Sequence, residues 1–177
     1  MRVRTGTGWN LVLLALLLLS PTTALAGGPV GGELLIADQS VDAVYPALAH
    51  NTIWDEYLAV WSNDRPGNDD IYAQLLDRQG APSGNWRAIA AGTGAERRYP
   101  DVTYNPNWNE YLVVWEQENH ASGRISIRGR RVSDSGQGVG PEITISASGP
   151  RTGTRPRVAH AFTSGTYLVV WLSLIHI

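Results

Sequence analysis

The sequence predicts an all-β protein built from a repeated unit of four short antiparallel strands. Three observations carry that prediction. The pentapeptides Tyr57-Leu-Ala-Val-Trp61, Tyr111-Leu-Val-Val-Trp115 and Tyr167-Leu-Val-Val-Trp171 recur 54 and then 56 residues apart. Each is reached from a proline (Pro46, Pro100, Pro156) fifteen residues before its tryptophan. Gly-, Pro- and Asx-rich turns separate the apolar runs, and no segment after residue 26 shows the 3.6-residue apolar period of a helix.

The four strands of each unit follow from local chemistry. The first begins after the proline, whose fixed φ and missing N–H suit the start of a strand: Ala47–His50, Asp101–Tyr104, Arg157–Ala161. The second is the Tyr-Leu-Val-Val-Trp run, apolar on both faces as a strand covered on two sides must be. The third is Ile71–Leu76, matched to Ile125–Arg130, with polar Gln74, Arg128 and Arg130 placing one face toward solvent. The fourth, Arg87–Ala90 and Glu142–Ser146, follows a glycine-rich turn. The three tryptophans that close the second strands are expected in the core.

Four strands in about 55 residues, repeated, with the second buried on both faces, is the pattern of a β-propeller blade. The organisation expected is a leading strand at 33–37, unit one at 45–90, unit two at 99–146, a partial unit three at 155–171, and an atypical tail at 172–177. That is about two and a half blades. A propeller closes with four or more, so an incomplete propeller, a fragment of a longer protein, is expected.

Residues 1–26 read as an export signal. Arg2 and Arg4 precede the apolar run Leu11–Leu19, then Ser20-Pro21, then Ala24-Leu25-Ala26 with cleavage before Gly27. The run is less than half the roughly 20 residues that span a bilayer, so a secreted, extracytoplasmic chain without a membrane span is expected. The net charge of −2, with 14 basic residues that are all arginine, offers no electrostatic footprint for nucleic acid. The absence of cysteine excludes disulfides and thiolate chemistry.

The strings Tyr99-Pro100, Asn105, Glu110–Trp115 and Asp70–Asp77 with Gly80 resemble the repeats of secreted bacterial propeller-type proteins, and distantly the blades of sialidases (BNR repeats). The resemblance spans about residues 33–171 and implies repeat architecture, secretion and a bacterial origin. The Asp box of sialidases is matched only in fragments, at Asp134-Ser135-Gly136 and at Asp77, Gly80 and Trp86. The sialidase arginine triad and nucleophile have no counterpart here, so no catalytic residue is carried over.

Candidate sites are few. Asp64, Asp69 and Asp70 crowd one turn with Asn63 and Asn68, a density of hard oxygen ligands suited to Ca²⁺, against the competing reading of a self-bonded hairpin turn. Trp54 and Trp108 sit in the turn after the first strand, where flat rings stack on sugars or cover the next blade. Arg128 and Arg130 share a strand face, placed to read an anionic sugar or to pair with a neighbouring blade. His50 and His160 occupy equivalent positions, as a paired site or as backbone-bonded strand ends. No phosphate loop, nucleophile elbow or zinc motif occurs. The leading expectation is a non-catalytic module that binds a glycan or cell-surface protein, or self-associates. The alternative is part of a glycan-active enzyme.

Overall fold

The computed structural model describes residues 34–36, 42–64, 67–146, 149–150 and 153–173. The segment 1–26 expected to be an export signal and residues 174–177 of the tail lie outside them. Every described regular element is a strand. One sheet runs β1 (Ala43–Asn51), β2 (Glu56–Asn63), β3 (Ile71–Leu76), β4 (Pro82–Ala90), antiparallel throughout and paired in chain order. The second repeats it with β5 (Ala95–Asn105), β6 (Glu110–Asn119), β7 (Arg124–Ser133) and β8 (Gly138–Thr144), and β9 (Gly149–Pro150) also pairs β7. A third sheet has two strands, β10 (Thr154–Ala161) and β11 (Thr166–Leu172). The four-stranded antiparallel sheets are propeller-like blades.

The turns between first and second strands repeat in detail. Asn51 Oδ1 accepts the Ile53 and Trp54 N–H groups at 2.9 and 3.2 Å, and Asn105 Oδ1 accepts that of Asn107 at 2.9 Å. The last turn residue is left-handed in each unit: Asp55, Asn109 and Gly165 at φ 55°, 50° and 65°. Asx residues tolerate that region and glycine enters it without cost, so one turn geometry serves all three units.

The core lies between the two blades. Leu58, Val60, Ala73 and Ile89 of the first meet Tyr111, Val113, Trp115 and Val132 of the second. On the other face of β6, Leu112 and Val114 are buried as well, so this strand is covered on both sides as its composition requires.

Several expectations need correction. Ser62 pairs Ile71 and Glu116 pairs Ile127, so the counterpart of Ile71 is Ile127, not Ile125. The two extra residues of the second unit therefore lie in the β6–β7 hairpin. Gln74 is buried, because its amide donates to the carbonyls of Leu75 and Ser83 at 2.8 and 3.0 Å. Trp61 and Trp115 are core, but Trp171 is 37% exposed. Its strand pairs only β10 among the described residues, so the cover that β3 and β7 give β2 and β6 is missing there. Leu34–Ile36 form no strand, and Ala37 lies outside the described residues. The first strands start four, six and three residues before the predicted points, with each proline inside the strand rather than at its head.

Candidate functional site

The interior prolines build the site. In each first strand the register slips at the residue–proline pair: between Val44 and Ala47, between Arg98 and Asp101, and between Thr154 and Arg157. A bulge leaves backbone groups outside the ladder, so proline's missing N–H costs no ladder bond. The residue before each proline is left-handed: Tyr45, Tyr99 and Arg155 at φ 55°, 52° and 52°. For a residue with a Cβ that region costs about 1–2 kcal/mol. Three bulky residues accept it at the same repeat position.

The slip brings these side chains to a common cleft of about 500 Å³, floored by Pro46, Pro100 and Ala47. The Tyr45 and Tyr99 rings lie 4.4 Å apart between centroids, tilted by 50°. The Arg155 guanidinium sits 5.2 Å over the Tyr99 ring. The Tyr45 phenol is held above its ordinary range, first by its hydrogen bond with Tyr99 and then by the charge Tyr99 would carry. Asp101 and Arg157 line the same cleft. Asp101 Oδ2 accepts the Val158 N–H at 2.8 Å, tying β5 to β10. Glu116 Oε2 accepts the Arg155 N–H at 3.3 Å and the Thr154 hydroxyl, and so pins the third bulge. Burial pushes the Glu116 carboxyl up, partly offset by those two bonds.

The residues singled out from the sequence lie elsewhere. Asp70 Oδ1 meets Arg97 Nη1 at 3.1 Å with both side chains buried, and Asp69 Oδ2 meets Arg98 Nε at 2.7 Å. These carboxylates lock the first blade to the second, while Asp64 is exposed. No group of three or more His, Asp or Glu is arranged to hold a metal ion among the described residues. Arg130 Nη1 donates to the Ile89 carbonyl of the first blade at 2.7 Å, another inter-blade link. Arg128 contacts Thr144 Oγ1 and lies 3.7 Å from Glu142. Trp54 and Trp108 are exposed on their turns, Trp108 edge-on to Tyr167 at 6.4 Å. His50 and His160 each pack on the tyrosine of their own second strand, at 4.8 and 5.7 Å between ring centroids.

Tyr45, Tyr99 and Arg155 escaped the sequence reading. The signal was present, since each precedes the repeat proline. A proline at a strand's first position puts the residue before it in a loop, whereas the proline lies inside the strand.

No protein-family model and no curated protein matches the chain. Among solved structures, an endo-arabinase from Bacteroides thetaiotaomicron VPI-5482 is similar, with a TM-score of 0.53 and 14% identity. The match covers 77% of this chain and 53% of the endo-arabinase chain. The likeness is one of fold, and this chain spans about half the length of the structure it resembles.

Proposed function

We propose that the chain is part of a secreted, propeller-type glycan-binding protein, an incomplete propeller of about two and a half blades, with its ligand seated in the Tyr45–Tyr99–Arg155 cleft. The observation that carries this reading is the threefold recurrence of a left-handed residue before proline. Strain of that kind persists where the surrounding structure over-determines it, and it clusters at ligand sites. Two tyrosine rings offer flat apolar area for a sugar face, and their hydroxyls and the guanidinium offer hydrogen bonds. The export signal is consistent with a ligand outside the cell.

Binding is preferred to hydrolysis on the carboxylate count. Glycosidic cleavage ordinarily takes two carboxylates facing one bond. Asp101 is the one carboxylate lining this cleft among the described residues, and one of its oxygens already serves Val158. The second reading, part of a glycan-cleaving enzyme, is favoured by the similarity to an endo-arabinase.

Affinity electrophoresis of the exported chain through gels cast with soluble polysaccharides tests the proposal. Retardation that is lost in Tyr45→Ala and Tyr99→Ala supports it. Retardation unchanged by either substitution moves the site elsewhere. Release of reducing ends from any of the polymers would favour the enzymatic reading.

A further inference from the structure

The charge balance of the cleft narrows its ligand. The chain as a whole is acidic, at −2, yet the charged residues lining the cleft are Arg155, Arg157 and Asp101. Arg97, Arg98, Arg128 and Arg131 each face a carboxylate within 4 Å. Arg155 and Arg157 face none among the described residues. Among the described residues the Arg157 Nη1 donates to the Pro156 carbonyl, at 3.1 Å, and the Arg155 guanidinium rests on the Tyr99 ring. Both side chains are exposed, and the Asp101 carboxylate between the strands is engaged by the Val158 N–H.

Resting on the glycan reading above, we infer that the cleft selects an acidic glycan whose sugar carboxylates are gripped by Arg155 and Arg157 while the exposed Tyr45 ring stacks on the sugar and Tyr99 holds Arg155 in place. Guanidinium is the side-chain group whose planar fork matches a carboxylate with two parallel N–H···O bonds. Stacking on Tyr99 holds the Arg155 fork in one orientation before the ligand arrives, which lowers the ordering cost of binding. The cleft has the size of a small-ligand site, so a few sugar units of a longer polymer would be engaged.

The test uses the full exported chain and titration calorimetry. The probes are short oligomers of galacturonate, glucuronate and mannuronate, their carboxyl-reduced neutral counterparts, arabinan oligomers and poly-glutamate. At least one uronate oligomer is expected to bind about tenfold or more tighter than its neutral counterpart. That preference should weaken as salt is raised from about 50 to 500 mM, since the charges are exposed. In Arg155→Gln and Arg157→Gln the acidic-to-neutral ratio should fall toward one, while Tyr45→Ala lowers binding of both. Should either arginine variant fold poorly, the ratio and its salt dependence in the unmodified chain still decide. Equal affinity for neutral and acidic oligomers overturns this inference and leaves the glycan reading standing. Poly-glutamate binding as tightly as the uronates overturns it by showing that the sugar is not recognised. No binding to any oligomer overturns both.

Discussion

Replacing Arg155 by alanine and by glycine separates the strain of the bulge from the contacts of its side chain. Both substitutions remove the guanidinium from the Tyr99 ring, a contact worth about 0.5–1 kcal/mol at an exposed site. Alanine keeps a Cβ at φ 52° and so keeps the left-handed cost of about 1–2 kcal/mol. Glycine removes that cost but adds about 0.5–1 kcal/mol of unfolded-chain freedom. Arg155→Ala is therefore expected to destabilise by about 0.5–1 kcal/mol. Arg155→Gly should lie near the unmodified chain, about 0.5–1 kcal/mol above the alanine variant. For a chain of this size that gap is about 1–4 °C in Tm. Paired thermal melts and urea titrations read it directly. The same ordering is expected at Tyr45, whose ring is likewise exposed. A glycine variant no more stable than its alanine partner at either position would refute the claim that these residues are strained.

Other substitutions probe the blade interface. Trp115→Ala, in the fully buried seam between blades, should cost about 3–5 kcal/mol, whereas exposed Trp54→Ala should stay within about 0.5 kcal/mol, by chemical denaturation. Arg97→Ala breaks a buried ion pair with Asp70, whose Oδ1 also accepts the Gly92 N–H at 3.1 Å, and should cost about 3–5 kcal/mol, while Arg98→Ala, at a side chain 36% exposed, should cost less. Gly129→Ala brings a Cβ to 2.9 Å from Ile145 Cδ1 and 3.3 Å from the Val113 carbonyl, so a loss of about 1–3 kcal/mol is expected. Glu116 provides a pH signature. Its carboxyl is raised above the ordinary 4.5 by burial, so its contribution is fully present below that value and is lost as pH rises through the raised one. The stability of the unmodified chain relative to Glu116→Gln should therefore fall with rising pH across the carboxylate range. Urea midpoints that keep a constant gap would show that Glu116 does not titrate differently on folding.

The repeat made the strand plan legible, and Ile71–Leu76 is found at the predicted bounds. Register was less legible. Ile125 aligns with Ile71 in sequence because both are isoleucine at repeat spacing, but a longer hairpin moves the pairing by two residues, which keeps the same face and leaves no trace in the alternation. The inter-blade ion pairs were hidden for a different reason. Asp69 and Asp70 look like a dense acidic turn until the fold brings Arg98 and Arg97 to them from 29 and 27 residues away.

What the sequence determined by itself is whatever depends on near neighbours. This covers the all-β class from alternation and turns, the second strand's double-sided cover from its composition, and the unit length from recurrence. What the tertiary structure alone decided is how equivalent residues of different units meet. Each proline sits in a bulge, the bulge forces the preceding residue into a left-handed backbone, and the first strands lie side by side. Tyr45, Tyr99 and Arg155 thus come from three distant segments to one cleft. Trp171 shows the same dependence from the other side. It carries the residue pattern of a buried strand, yet it is exposed because burial belongs to the neighbouring strand that covers a side chain and not to the side chain itself.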